Sequence, residues 1–282
     1  MIFWIASYPK SGNTWVRALI SSYYYSQDGI FSEKLIKKIG QFPEKVHFEG
    51  FNYNKEVITD TSRFWIEAQE RINKDKKIKF KKTHSCLSSI NGNNFTNKKN
   101  TIACIYIVRD PRNLITSLKN HYELDYDEAL NFMISEKKFI YDQQKHNDYS
   151  DFQFISSWEK NFLSWKNQND FPIKLIKYED LLNKTYYIFE DLIKFINNIL
   201  KIDENVIQDK LKNSIETTSF NKLKQYEKDY GFSEAVNSKN HYKSIPFFHL
   251  GPKNDWKKIL SEDLQKKLNI TFNKSLKFFS YI

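Results

Sequence analysis

Ile2 to Ala6 is a short, apolar, β-prone run, and Ser7 to Asn13 (SYPKSGN) then supplies loop residues that include Pro9 and Gly12. From Thr14 the apolar positions become Val16, Leu19, Ile20 and Tyr23, the i, i+3, i+4, i+7 face of a helix. Strand, tight loop, helix is the opening unit of a nucleotide-binding α/β domain. Ile78 to Thr83 (IKFKKT) alternates like a second strand and ends at His84. The continuous run Thr101 to Val108 (TIACIYIV) reads as a strand buried on both faces, and Ile173 to Tyr178 (IKLIKY) as the last strand. Pro111 sits well at the first turn of a helix running to about Tyr122. Further helices are expected over 126–136, 152–167, 180–200, 204–213 and 261–279, with a weak signal around Phe64 to Ile72. Ser88 to Asn100 is a polar loop. Residues 229–255, with Gly231, Pro246, Gly251 and Pro252, read as a long loop of the kind that serves as a lid. No repeat, low-complexity block or linker divides the chain. The expected architecture is one α/β domain over residues 1–282, a central parallel sheet flanked by helices.

Composition narrows the class. A chain of 282 residues buries a full core without a disulfide framework or structural metal. Hydrophobic content of 40% and aromatic content of 16% exclude a disordered or fibrous chain. No apolar run reaches the ~18 residues of a membrane span, and the five-residue run at the start is too short for a secretory signal. Cys86 and Cys104 suit a reducing compartment, so a cytoplasmic location is expected. The net charge of +10 rests on lysine: five of the 44 basic residues are arginine. So strong a lysine bias reads as genome composition as much as selection for a partner, and it favours an anionic substrate about as much as a nucleic acid. No nucleic-acid partner is expected.

Three constellations carry chemistry. In YPKSGNTW, Tyr8 to Trp15, the turn aims successive backbone N–H groups, a helix dipole and Lys10 at one anionic group. Gly12 lets the backbone approach, and Ser11, Asn13 and Thr14 add side-chain donors. The lysine precedes the glycine, so this is not the Walker pattern. In IVRDPRNLITS, Arg109 ends the most apolar strand, where open α/β sheets bind ligands, and offers a planar fork to phosphate. Ser117 lies eight residues on, about two helical turns along. Arg112 reads either as a second donor or as a surface residue of the first turn. Lys82-Thr83-His84 closes the second strand; a lone histidine there is more often structural than catalytic. Cys86 reads as a buried thiol.

YPKSGNTW closely resembles the 5′-phosphosulfate-binding loop of sulfotransferases of the cytosolic type, which take sulfonate from 3′-phosphoadenosine 5′-phosphosulfate (PAPS) and release 3′-phosphoadenosine 5′-phosphate (PAP). The resemblance implies that Lys10 contacts the 5′-phosphate and bridging oxygen, that Ser11 to Thr14 cradle the phosphosulfate, and that Trp15 packs against adenine. It carries the 3′-phosphate onto Arg109 and Ser117, which stand at the family's spacing. Lys82-Thr83-His84 matches its Lys-Thr-His, whose histidine is the general base. Tyr178-Glu179-Asp180-Leu181 is similar to its YEDL segment, whose tyrosine lines the adenine pocket, with Asp180 read as a helix N-cap. Gly251, Asp255, Trp256 and Lys257 match the C-terminal loop R-K-G-x-x-G-D-W-K, but His249 and Leu250 replace its Arg and Lys, and Asn254 its second glycine. Lys253 and the Gly251 N–H are the expected substitutes, and a protonated His249 would strengthen binding towards pH 6.

The family implies a P-loop NTPase-like sulfotransferase fold, and a sulfotransferase moving sulfonate from PAPS, without a metal, to a hydroxyl or amine. Lys10 and Lys82 would neutralise the leaving phosphate and the sulfonate oxygens. Two other classes compete: an ATP-dependent P-loop kinase, which lacks its Walker lysine here, and a non-catalytic polyanion-binding protein, whose basic runs are short here. The acceptor is a small molecule or carbohydrate, not otherwise specified. Residues 29–76, 85–100, 136–150 and 229–248 are expected to form its pocket, with Tyr23–Tyr25, Phe48, Phe51, Tyr53, Phe139 and Tyr141 suited to a phenol, sugar or lipid-like alcohol. No segment speaks for an oligomeric state.

Overall fold

The computed structural model describes residues 1–142, 147–238 and 244–282. Four parallel strands form the central sheet: β1 (Ile2–Ser7), β2 (Lys79–Thr83), β3 (Thr101–Val108) and β4 (Ile173–Lys177), in the spatial order β2-β1-β3-β4. β1 and β3 lie in the centre and are apolar except for Ser7 and Thr101 at their ends, as strands covered on both faces must be. Alternation divides their side chains between two cores. Trp4, Ala6, Tyr106 and Val108 face one, and Phe3, Ile5, Ile105 and Ile107 face the other.

Helices cover both cores. α1 (Asn13–Tyr25) presents Val16, Leu19, Ile20 and Tyr23 to the second core, the face read from the sequence. α2 (Pro111–Tyr122) starts at Pro111, with Asp110 as N-cap accepting from Arg112 N, and packs Leu114, Ile115 and Leu118 on the first core. Trp65–Asn73 and Tyr126–Ile134 form the expected helices. The architecture is a single α/β domain with a parallel sheet between helical layers.

The departures are local. The helix expected over 152–167 begins only at Trp158; α3 (Trp158–Lys166) is capped by Ser157, whose Oγ accepts from Lys160 N. Gln153–Phe154 instead pairs antiparallel with Phe139–Ile140. Tyr178 leaves the last strand and opens α4 (Tyr178–Asn183), so Asp180 lies in the first turn and Lys177 is the N-cap. α5 (Thr185–Leu200) follows after a break at Lys184, which neither Gly nor Pro marks. The C-terminal helix is likewise two, Glu262–Thr271 and Asn273–Phe278, and that expected over 204–213 runs Gln208–Thr217. α6 (Phe220–Tyr230) went unread in the sequence. Within 229–255, Val236–Asn237 pairs with Ser244–Ile245, and Gly251–Lys253 forms one 3₁₀ turn.

Candidate active site

Parallel registry sets the site. Ala6 aligns with Thr83 and with Tyr106, and Val108 with Lys177, so the segments after all four strands leave from one sheet edge. There a cavity of about 500 Å³ gathers Lys10, Gly12 to Trp15, Lys82, His84, Arg109, Ser117, Tyr178 and Gly251. Of the other residues the sequence singled out, Ser11 is fully buried behind the loop, Lys253 is exposed on the 3₁₀ turn, and Arg112, Asp255, Trp256 and Lys257 lie outside the cavity.

The β1–α1 turn is tight. Lys10 and Gly12 take positive φ, 64° and 102°, and Ser11 N donates to Tyr8 O at 3.3 Å. A Cβ at Gly12 would lie 2.6 Å from Tyr178 Cδ2, so the glycine lets the tyrosine ring pack on the loop. Trp15 meets the same ring edge-on at 5.9 Å. Ser11 Oγ, Asn13 Oδ1 and Trp15 Nε1 are buried without a hydrogen-bond partner. Lys10 Nζ lies 3.6 Å above the Phe247 ring and 3.5 Å from His121 Nδ1. Burial, with Arg109 and Lys82 nearby and Glu234 in opposition, lowers its pKa to about 7.

Arg109 and Ser117 meet as their spacing implies. Arg109 Nη1 donates to Ser117 Oγ at 3.2 Å and to Lys10 O at 3.0 Å, which ties the second motif to the first. Its guanidinium stacks on Tyr178 at 4.3 Å, and its Nε is buried and unpartnered. Arg112 behaves as neither sequence reading had it. It is 2% exposed, forks onto Asp110, reaches Asn269 and Tyr281 O, and lies over Trp256 at 4.1 Å. It is a core ion pair outside the cavity.

His84 is held in one tautomer. Nδ1 lies 2.8 Å from Ser7 O, a carbonyl that only accepts, so Nδ1 carries the proton and Nε2 keeps its lone pair. Its backbone is fixed on both sides, N donating to Gln153 Oε1 at 2.6 Å and O accepting from Asn161 Nδ2 at 2.9 Å. Burial, reinforced by the charge of Lys82, lowers the pKa to about 3, so the ring is neutral. Burial also lowers Lys82, whose Nζ donates to Glu234 Oε1 at 3.0 Å. Cys86 is buried and free.

Several lining residues were not singled out in the sequence: Phe220, His121 and Gln153, and, within the expected 229–248 segment, Glu234 and Phe247. The Phe220 ring packs directly on Gly251, against the space a Cβ would fill. His249 lines the cavity too, but burial and Lys224 lower its pKa. Of the expected acceptor segments, 29–76 contributes Gln41, 136–150 Ile140, and 229–248 Glu234, Phe247 and Phe248, while 85–100 contributes none. Residues 143–146 and 239–243 lie outside the described residues. The aromatic residues expected there pack elsewhere: Tyr23 in the second core, Phe48 in the first with Phe51 and Tyr53 against it. Among the described residues no group of three or more His, Cys, Asp or Glu is placed to hold a metal, and no helix is long and apolar enough to cross a membrane.

The model of the sulfotransferase domain family matches residues 2–280. The luciferin sulfotransferase of Photinus pyralis is 24% identical over 293 residues, covering 99% of this chain and 72% of the relative. Among solved structures, mouse sulfotransferase SULT7A1 complexed with PAP superposes with a TM-score of 0.58 at 19% identity, covering 98% of this chain and 84% of that one. Retinol dehydratase in complex with androsterone and inactive PAP gives 0.57 at 14%, covering 98% and 80%.

Proposed function

The chain belongs to the sulfotransferase domain family, matched over residues 2–280, and from that premise we propose that it moves sulfonate from PAPS to a hydroxyl or amine of a small-molecule, sugar or lipid-like acceptor, with His84 as general base. One observation carries the reading. A single cavity joins the Lys10–Thr14 turn, the Arg109–Ser117 pair and the lone-pair nitrogen of His84. The residues fit a nucleotide with two anionic ends. The buried, unpartnered Arg109 Nε beside Ser117 suits a 3′-phosphate, the Lys10–Thr14 turn a 5′-phosphosulfate, and Trp15, Tyr178 and Phe220 an aromatic base.

PAPS, when bound, supplies a sulfonate on a stable phosphate leaving group. Nε2 of His84 takes the acceptor's proton, a role worth ~10²–10⁴-fold. The Ser7 carbonyl holds the other ring nitrogen, so the lone pair cannot turn away. Lys10 and Lys82 place cations where negative charge accumulates, in a site largely screened from water. Burial is the larger cause of the lowered His84 pKa, and an anion on Lys82, as Glu234 is here, offsets only the smaller contribution of the lysine's charge.

The test is a thermal-shift comparison of PAP, AMP and ATP with magnesium, followed by an acceptor screen with sulfur-labelled PAPS. PAP should stabilise most. Greater stabilisation by ATP with magnesium would install the kinase reading instead.

A further inference from the structure

The cavity contains an anion belonging to the chain. Thr14 Oγ1 donates to Glu234 Oε2 at 2.5 Å, while Arg17 Nη1 and Lys82 Nζ donate to Glu234 Oε1 at 2.5 and 3.0 Å. Burial alone would raise this carboxyl, but Lys82 and Arg17 outweigh it and hold it well below the ordinary carboxylate range. Thr14 and Lys82 line the cavity, Thr14 and Arg17 share one face of α1, and Lys82 stands on β2. Arg17 is 4% exposed and its other nitrogens are committed to Ile36 O and Ile39 O, so it cannot swing away. Glu234 also lines the cavity and comes from the 229–255 segment, two residues after Phe232, which packs on Phe247 and Phe248.

We infer that Glu234 is a built-in competitor for the phosphosulfate cradle, its carboxylate holding Thr14, Arg17 and Lys82 so that a ligand's anionic group binds there only by displacing it. This rests on the proposed function, which assigns Thr14 and Lys82 to the ligand. A carboxylate and a phosphate or sulfonate cannot both take these donors, because like charges that close repel strongly away from water. The exchange acts as a filter. A simple anion such as inorganic sulfate offers only the contacts Glu234 already makes. A ligand that also engages Arg109 with a second phosphate and Trp15 and Tyr178 with its base gains enough elsewhere to expel the carboxylate. Glu234 therefore sets specificity for a two-ended nucleotide over the free anions around it.

The rival is a permanent ion pair that stays in place beside the ligand, and a thermodynamic cycle separates the two. PAP and inorganic sulfate are titrated calorimetrically into wild type, Glu234→Gln and Glu234→Ala, with melting temperatures taken at each end. Displacement predicts that both variants melt lower without ligand, bind PAP at least tenfold more tightly, and gain a sulfate-dependent stabilisation that wild type lacks. Glu234→Asp, with its shorter reach, should move the same way by less, and it serves if the larger changes prevent folding. A permanent pair lowers free and bound states alike, so unchanged or weaker PAP binding with no response to sulfate overturns the inference. If no form binds PAP, the PAPS reading fails, and sulfate binding to the variants alone still decides the role of Glu234.

Discussion

At the scale of the residue, His84 lines the cavity with its tautomer fixed by the Ser7 carbonyl, so its removal should separate binding from turnover. His84→Ala is expected to cut kcat by ~10²–10⁴-fold while PAP affinity changes less than threefold, because a general base acts on the acceptor and not on the nucleotide. An active His84→Ala enzyme would sink the general-base assignment. Arg109 tests the other end of the cavity. Its Nη1 is shared between Ser117 Oγ and Lys10 O, so Arg109→Ala removes a phosphate donor and unpins the first loop together. A charge-assisted hydrogen bond contributes ~1.5–3 kcal/mol, and PAP affinity should fall at least tenfold. Lys253 is exposed and outside the cavity, so Lys253→Ala should cost far less. Calorimetry at pH 6 to 8 checks both, and equal losses would mean that Lys253 reaches the phosphate. His249, its pKa lowered by burial and Lys224, should give no gain in affinity towards pH 6, contrary to the expectation from its place in the C-terminal loop.

At the scale of the element, the β1–α1 turn is the feature least tolerant of change. Gly12→Ala would place a methyl group at φ 102° and 2.6 Å from the Tyr178 ring. The backbone strain alone costs ~1–3 kcal/mol, and displacing Tyr178 disturbs the lining of the cavity. Melting temperature and PAP affinity should fall together; a variant that melts lower but binds PAP normally would show that the Tyr178 ring is dispensable. Such elements differ in how far sequence reveals them. β3 was legible to the residue, since a strand covered on both faces is an unbroken apolar run, and α2 was legible because Asp110 and Pro111 mark its start. α3 was misplaced: Phe152 and Ile155 are buried and mimic helical spacing, while Ser157 carries the true start signal. The motif residues around Lys10 and Arg109 were legible because each cluster is local in sequence. Glu234 was not, standing 220 residues from Thr14 in a stretch with no pattern. Arg17 was within reach, since it lies one turn beyond Thr14 in a chain with five arginines.

At the scale of the whole molecule, the distribution of cations governs how stability responds to pH. The chain carries a formal charge of +10, and each of three partly buried histidines lies near a lysine: His47 near Lys81, His84 near Lys82 and His121 near Lys10. Burial, and then those lysines, lower all three pKa values from 6.5 to about 3. Above pH 6.5 the three rings are neutral whether the chain is folded or not, and they cost nothing. Below it the unfolded chain takes up protons that the folded chain refuses, so stability falls as pH drops from 6.5 towards 3, by about 2 kcal/mol per histidine at pH 5. Lys10 acts in the same direction at higher pH. Its folded pKa of about 7 against 10.5 means that the folded chain binds fewer protons in that window, and stability rises with pH across it. The ligand-free protein should therefore melt lowest at pH 5, higher at pH 7 and higher again at pH 9. PAP should compress the upper part of that rise, because an anion at Lys10 restores its proton and so binds best where the lysine is already charged, at or below pH 7. Melting curves at the three pH values, with and without PAP, test the whole scheme. A ligand-free melting temperature that is flat or falls from pH 5 to 7 would mean that these histidines are not buried against cations.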